Sequence, residues 1–193
     1  MVSLPPQQVK QFIRRSQQGD AEALARLYAA FAPAVYRYIA FRAPASEVED
    51  LTAEVFLKMV EGLPSYQITE VPFEVWLYRI AAARITDYYR KSGRYQETEL
   101  NEEMPFEGAA PDENVLDEQE RAALMRALHQ LSDEQQNVLV LRFVERKSHE
   151  EVARILDKSV TAIKSIQHRA LIQLAKLIGA EKQNRHYLRG GHA

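Results

Sequence analysis

The chain has 193 residues, of which 46% are hydrophobic, enough apolar side chains to form the core of one domain or of two small ones. It contains no cysteine, which excludes disulfides, thiolate chemistry and cysteine-based zinc sites. No apolar run approaches the roughly 20 residues that span a bilayer, and the start lacks the pattern of a signal peptide, so we expect a cytoplasmic protein with no membrane insertion.

The formal net charge of −2 hides an uneven distribution along the chain. Residues 1–94 carry 12 Lys/Arg and 10 Asp/Glu, residues 95–120 carry 0 and 10, and residues 121–193 carry 13 and 7. An acidic segment therefore separates a nearly neutral N-terminal part from a basic C-terminal part. A basic domain of this kind is typical of a nucleic-acid-binding protein.

Helical periodicity dominates both ends of the chain and no strand alternation is evident, so the sequence predicts an all-α protein. In the N-terminal half the patterns favour helices near Pro5–Gln17, Asp20–Phe41, Glu47–Glu61 and Phe73–Ser92. Ser46 and Glu49 form a potential capping box for the third of these helices. Pro33 costs about 3 kcal/mol in a regular helix interior, which predicts a kink or a break in the second.

The predicted helix Glu47–Glu61 has two distinct faces. Its core-facing seam consists of Val48, Leu51, Val55 and Met59. A mostly acidic arc on another side contains Glu47, Asp50, Glu54, Lys58 and Glu61, and Leu57 lies beside it. An apolar residue among carboxylates favours a protein interface, with a solvated acidic stripe and one stray leucine as an equal alternative.

The C-terminal half of the predicted helix Phe73–Ser92 combines cations with aromatic rings. One arc of this half contains Arg79, Thr86, Arg90 and Arg94, close to Tyr88, Tyr89 and Lys91. Tyr66, in the loop Pro64–Pro72, adds another ring. Such a mixture suits phosphates and unpaired bases, whereas the alternative is that the tyrosines pack within the domain. Trp76 is expected in the core.

Low hydrophobic density and a dense acidic run predict a flexible linker over residues 95–115. It joins an N-terminal domain, residues 1–94, to a C-terminal domain, residues 116–179. Further helices are predicted near Leu116–Gln130 and Asp133–Val144, with Ser132 and Gln135 as a capping box for the latter. Residues 180–193 are polar and contain glycine, so we expect a disordered tail.

The stretch Lys147–Ile178 predicts a helix-turn-helix. Ser148 and Glu151 form a capping box for the helix His149–Leu156, and Ser159 caps the helix that follows the turn. The side of the second helix expected to be buried contains Val160, Ile163, Ala170, Leu171, Leu174 and Leu177. The opposite arc contains Thr161, Lys164, Ser165, His168, Arg169 and Lys176. These polar groups suit a DNA major groove, although an ordinary solvated face fits this motif alone equally well.

Several separated motifs can be compared with a known pattern. Residues 50–56 (DLTAEVF) are similar to D-x-T-Q-E-x-F, and residues 73–87 are similar to F-x-x-W-L-x-x-I-A-R-N-x-x-x-D. In the second half the similar elements are residues 131–138, 148–153 and 163–170. In the order, spacing and variable linker of these elements, the chain resembles an extracytoplasmic-function (ECF) sigma factor of bacterial RNA polymerase over roughly residues 20–178.

The resemblance implies a role for each surface. Core RNA polymerase would be bound by Asp50, Glu54, Leu57, Lys58 and Glu61. The melted minus-10 promoter strand would be held by Tyr66, Arg79, Thr86, Tyr88, Tyr89, Arg90, Lys91 and Arg94. The minus-35 element would be read by Thr161, Lys164, Ser165 and His168, with phosphate contacts from Arg169, Arg142, Lys147 and Lys158. Ala53, Ala82, Ala83 and Ile166 depart from the family pattern, which suggests an altered promoter preference.

The predicted function is therefore that of a sigma factor that binds promoter DNA, with no catalytic activity, cofactor or metal. An anti-sigma factor is a further candidate partner. The alternative is an operator-binding helix-turn-helix regulator that acts without core polymerase. A zinc protease is excluded because Ala153 stands where the second histidine of H-E-x-x-H belongs.

Overall fold

The computed structural model describes residues 4–91 and 118–189, with side chains from 120 to 180 in the second range. Every regular element in these ranges is helical, which confirms the all-α prediction. The helices form two compact units, one containing residues 4–91 and the other most of residues 118–189. The predicted linker 95–115, Arg94 and the last four residues of the predicted tail lie outside the described residues. Within the described residues, each helix is too short or too polar to cross a membrane.

The first unit is built from four helices. They are α1 (Pro6–Gln17), α2 (Ala21–Ala40), α3 (Val48–Gly62) and α4 (Phe73–Lys91). Pro33 lies inside α2, which remains one helix, so of the two predicted alternatives, a kink or a break, the break does not occur. Leu27 and Val35 are buried on either side of the proline, and their packing offsets the lost backbone hydrogen bond.

The start of α3 also differs from the prediction. The chain enters through a 3-10 turn, Ala45–Glu47, and no side chain caps the helix. The Ser46 hydroxyl donates instead to the Glu47 carboxylate at 3.3 Å. The predicted Ser46–Glu49 capping box is therefore wrong, because the 3-10 turn takes up the residues that the box requires in an extended conformation.

The core of the first unit follows the helical periods of the sequence. All four residues of the α3 seam are buried, as predicted. The Tyr38 and Tyr78 rings meet edge to face, with centroids 5.3 Å apart. Trp76 is only half-buried, and a Cβ atom added to Gly62 would lie 2.9 Å from the Trp76 ring. Glycine at position 62 therefore allows the indole to lie against the end of α3.

A charged corner joins α1 to α2. Gly19 has a φ of 89°, and Asp20 caps α2 by accepting a hydrogen bond from the Ala23 amide at 3.0 Å. The Arg15 guanidinium pairs with the other Asp20 carboxylate oxygen at 2.7 Å. The hydrogen bond from Ala23 and the pairing with Arg15 lower the pKa of the Asp20 carboxyl below its usual value of 3.8.

The second unit contains the other four helices. They are α5 (Glu118–His129), α6 (Asp133–Leu139), α7 (His149–Leu156) and α8 (Val160–Arg189). Both capping boxes predicted here, Ser132 with Gln135 and Ser148 with Glu151, are confirmed. Ser159 caps α8 through the Ala162 amide, also as predicted. A π-helical turn, Val140–Val144, continues α6.

The helix α8 differs from its prediction in two ways. Ile166, at 3% exposure, is buried with Ile163 and Ala170, whereas Leu171 is 40% exposed and was wrongly predicted to be buried. The helix also continues through Gly179 to Arg189. The prediction of a disordered tail is therefore wrong for residues 180–189. One glycine costs only about 1 kcal/mol in a helix, and the residues that follow it, AEKQ, favour helix.

We expect Asp20→Asn to lower the melting temperature at about pH 7, because asparagine can cap α2 but cannot pair with Arg15. Asp20→Ala should lower it further by removing the cap as well. A carboxyl with a lowered folded pKa stabilises the protein above its unfolded pKa and loses that effect as the pH falls through the folded pKa. Melting curves from about pH 7 down to the acid limit of folding should therefore show the Asp–Asn difference shrinking below about pH 4. A constant difference would contradict this assignment.

Two glycines in helices should respond in opposite directions to alanine. Gly62→Ala should destabilise the protein by about 1–3 kcal/mol, because the added methyl group meets the rigid Trp76 ring. Gly179→Ala has open space around the added atom and should stabilise α8 by about 0.4–1 kcal/mol. Urea denaturation of the two variants measures both changes. Equal stabilisation by both would show that Trp76 does not confine position 62.

Candidate protein and nucleic-acid interfaces

The charged face of α3 lies outside the core of the first unit. All five residues assigned to polymerase binding are exposed: Asp50, Glu54, Leu57, Lys58 and Glu61. We call this set the α3 stripe. Leu57 is 57% exposed, and Lys58 pairs with Glu61 at 2.7 Å. The stripe therefore presents an apolar side chain surrounded by charges.

Two exposed apolar residues near the α3 stripe were missed from the sequence. Val60 is 43% exposed, and it lies three positions after Leu57 on the same helix, a spacing that could have identified it. Tyr28 on α2 is 51% exposed, and the centroid of its ring lies 4.7 Å from that of Phe56 on α3. The contact between Tyr28 and Phe56 joins α2 to α3, so no local sequence pattern indicates it. Together they enlarge the apolar part of this surface.

The C-terminal half of α4 carries both exposed and packed side chains. Arg79, Arg90 and Lys91 are exposed, whereas Thr86, Tyr88 and Tyr89 are half-buried. The Tyr89 hydroxyl donates to the Arg42 carbonyl at 2.8 Å, and its ring meets Tyr88 edge to face at 5.2 Å. Asp87 pairs with Arg84 at 2.6 Å and with Arg90 at 2.8 Å. The cations of this arc therefore face outward, while the tyrosine rings support one another within the unit.

Tyr66 follows a 3-10 turn, Leu63–Ser65, and packs against α4. Its ring centroid lies 4.7 Å from that of Trp76 and 5.2 Å from that of Phe73. Burial raises the pKa of the Tyr66 hydroxyl. Its ring is thus part of an aromatic cluster, and the exposed positions of the loop after Tyr66 are Gln67, Thr69, Glu70, Val71 and Pro72.

The helix α8 begins with a polar outer face. The residues assigned to this face are all exposed: Thr161, Lys164, Ser165, His168 and Arg169. The αL conformation of Asp157, with a φ of 53°, ends α7, and Ser159 starts α8 two residues later. The short turn and its caps therefore fix the pair of helices that the helix-turn-helix motif requires.

Three side chains beneath this face form a polar brace, which we define as Arg142, His149 and Gln167. The Gln167 side-chain oxygen lies 3.2 Å from Arg142 Nε and 3.0 Å from His149 Nε2. Arg142 also donates to the Lys147 carbonyl. The brace joins the π-helical turn to α7 and α8, so Arg142, which was assigned to a phosphate contact, is held within the unit.

Carboxylates lie beside two of the cations assigned to DNA, Lys164 and Lys158. The Glu150 amide and the Ser148 hydroxyl lower the pKa of the Glu150 carboxyl, and the charges of His149 and Lys164 act in the same direction. Lys158 pairs with Glu134 at 2.6 Å. The positive charge of the second unit is therefore partly balanced next to the residues assigned to DNA.

Comparisons with known proteins give matches on both units. The family model for Sigma-70 region 2 matches residues 27–95, and that for Sigma-70 region 4 matches residues 127–176. The RpoE sigma factor from Bartonella quintana, solved in complex with the anti-sigma factor NepR, is 24% identical with a TM-score of 0.62. This likeness covers 80% of the present chain and 96% of that chain, and it shows a shared fold.

Two curated relatives are more similar in sequence. The ECF RNA polymerase sigma factor BldN of Streptomyces coelicolor is 33% identical over 87% of this chain, and the match spans 65% of BldN. The ECF RNA polymerase sigma factor ShbA of Streptomyces griseus is 31% identical over 86% of this chain and 92% of its own length. A match that extends over nearly all of ShbA, with both sigma regions in order, shows that the chain belongs to the extracytoplasmic-function sigma factors, which direct RNA polymerase to specific promoters.

Proposed function

We propose that this sigma factor works through three surfaces, binds core RNA polymerase and promoter DNA in the cytoplasm, and has no catalytic activity of its own. The α3 stripe binds core polymerase. The exposed part of the loop after Leu63 and the cations of α4 hold the melted minus-10 strand. The outer face of α8 reads the minus-35 element. The observation that carries this proposal is that every residue assigned to the α3 stripe and to the face of α8 is exposed.

The α3 stripe suits a protein partner more than it suits DNA. Its carboxylates, Asp50, Glu54 and Glu61, would repel phosphates, whereas they complement a basic protein surface. Leu57 and Val60 supply the apolar centre that a protein interface needs. An anti-sigma factor, such as the one bound to the RpoE relative, is a second partner that this exposed apolar area could accommodate.

Fewer stacking rings are assigned to the minus-10 surface than the sequence suggested. Arg79, Arg90 and Lys91 are exposed and supply the positive charge that attracts a single strand. Tyr66 and Tyr89 are held by contacts within the unit, so we assign them to supporting the surface. Base recognition then falls to the exposed loop positions, Gln67 and Thr69 among them, and to Thr86 and Tyr88 at the surface of α4.

The minus-35 surface has the chemistry of major-groove recognition. Thr161 and Ser165 offer hydroxyl groups, while Lys164, His168 and Arg169 offer donors and positive charge. The buried side chains of Ile163 and Ile166 hold the helix against the core, so these polar groups point outward together. Lys147 and Lys158 remain candidates for phosphate contacts at the edge of this face.

Separate variants of the full chain should separate the two binding functions. Lys164→Ala should weaken binding to a minus-35 duplex and reduce the salt slope of that binding by about 0.9, without changing affinity for core polymerase. Leu57→Ala should reduce affinity for core polymerase about tenfold and leave duplex binding unchanged. Equilibrium titrations of both variants with core polymerase and with promoter DNA measure these effects.

Matched controls are available on the same chain. Lys176→Ala removes an exposed cation of the same α8 arc that is not among the residues assigned to minus-35 DNA, and Leu171→Ala truncates an exposed leucine of the second unit. Both controls should behave like the wild type. If Leu57→Ala and Leu171→Ala bind core polymerase equally well, the α3 assignment is wrong. If the wild-type chain does not bind core polymerase at all, the proposed function fails.

A variant of Arg142 tests whether this residue supports the fold of the second unit or contacts DNA directly. Arg142→Ala should lower the free energy of unfolding by about 1–3 kcal/mol, because the Lys147 carbonyl and Gln167 lose a charged donor. Arg169→Ala, at an exposed cation of α8, should instead reduce DNA affinity and leave stability nearly unchanged. Urea denaturation and DNA titration of the two variants distinguish these roles. An Arg142 variant with wild-type stability and weaker DNA binding would restore the phosphate assignment.

A further inference from the structure

The end of α1 is joined to the loop that follows α3. The Gln17 side-chain amide nitrogen donates to the carbonyl of Leu63 at 3.0 Å and to the carbonyl of Tyr66 at 2.8 Å. These carbonyls belong to the first residue of the 3-10 turn and to the residue that follows the turn. One amide group therefore holds both ends of the turn.

Tyr66 is the point at which this contact can control the loop. Its carbonyl is held by α1 through Gln17, and its ring is held by α4 through Trp76 and Phe73. The peptide is thus fixed on two sides immediately before Gln67, the first exposed position after Tyr66. A change in the direction of this peptide would move every loop residue after it.

The position of Gln17 is set independently of the loop. Ile13, one turn earlier on α1, is buried, and the corner that follows Gln17 is fixed by Arg15 and Asp20. Lys10, two turns before Gln17 on the same face, pairs with Glu70 of the loop at 3.2 Å. That ion pair is exposed and contributes little by itself, but it shows that α1 runs alongside the loop.

We propose that Gln17 is a positioning residue that sets the loop Tyr66–Pro72 for recognition of a base in the melted minus-10 strand. This inference rests on the proposed role of that loop. Gln17 lies outside residues 27–95, the region that the Sigma-70 region 2 model matches. Its action requires a donor with two hydrogens, since both of its partners are carbonyl oxygens. A carboxylate of the same shape would face those oxygens and repel them.

The test compares variants of Gln17 that lose or keep the hydrogen-bond donor, each in the complete complex with core polymerase. The variants are Gln17→Glu, which removes the donor, and Gln17→Lys, which retains hydrogens for both carbonyls. Gln18→Glu is the matched control, because Gln18 is exposed and gains the same charge. The probe is a single-stranded DNA library randomised over the minus-10 positions, sequenced after selection by each complex.

Gln17→Glu should bind the strand selected by the wild type about tenfold more weakly and lose base preference at the position that the loop reads. Gln17→Lys and Gln18→Glu should keep the wild-type preference, and all variants should keep wild-type affinity for core polymerase and for a minus-35 duplex. A general loss of stability would not change preference at one base only. If Gln17→Glu does not fold, Gln17→Ala takes its place in the same comparison.

Two results overturn the inference in distinguishable ways. An unchanged base preference in the Gln17→Glu complex would show that Gln17 does not position the loop, while the proposed function stands. An unchanged preference after Gln67→Ala and Thr69→Ala would show that the loop does not read the strand. That second result would reject the loop's part in the proposed function, and the role of Gln17 with it.

Discussion

The apolar seam of α3 is the constraint that orients the functional side chains of the first unit. Val48, Leu51, Val55 and Met59 are all buried, and each contributes about 1.5–3 kcal/mol of hydrophobic stabilisation. A rotation of the helix that hid Leu57 would expose part of this seam to water. The 3.6-residue period then leaves the α3 stripe on the outer side. The exposure of Leu57 is therefore a consequence of core packing.

The C-terminal end of α3 transmits this orientation to the loop. Trp76 packs so closely against Gly62 that no β-carbon fits between them, and the Tyr66 ring in turn packs against Trp76 and Phe73. Gln17 completes the arrangement from α1. The loop thus leaves the unit from a point fixed by three helices, while its own residues remain exposed. Such an arrangement combines a rigid base with exposed loop positions, which suits the proposed role of the loop in recognising a flexible single strand.

The sequence predicted local features well and features that depend on tertiary contacts poorly. The boxes at Ser132 and Ser148 involve residues three positions apart, so the chain itself specifies them. The same pattern at Ser46 failed because a 3-10 turn took its place. Leu171 was wrongly assigned to the buried side of α8 and the buried Ile166 was not predicted there, since contacts with neighbouring helices decide which edge of a broad apolar arc is covered. The Gln17 contacts cross more than 40 positions of sequence and have no local signal.

Internal carboxylates affect how strongly the second unit can bind DNA by itself. Glu150 lies beside Lys164, and Glu134 pairs with Lys158, so phosphates must compete with charges that the unit already carries. This competition lowers the affinity of the unit for any duplex and makes binding depend more on the correct base contacts. Attachment to polymerase offsets the loss, because a unit held near the promoter binds at a high effective concentration. The proposed function therefore predicts stronger minus-35 binding by this unit in the complex with polymerase than by the chain alone.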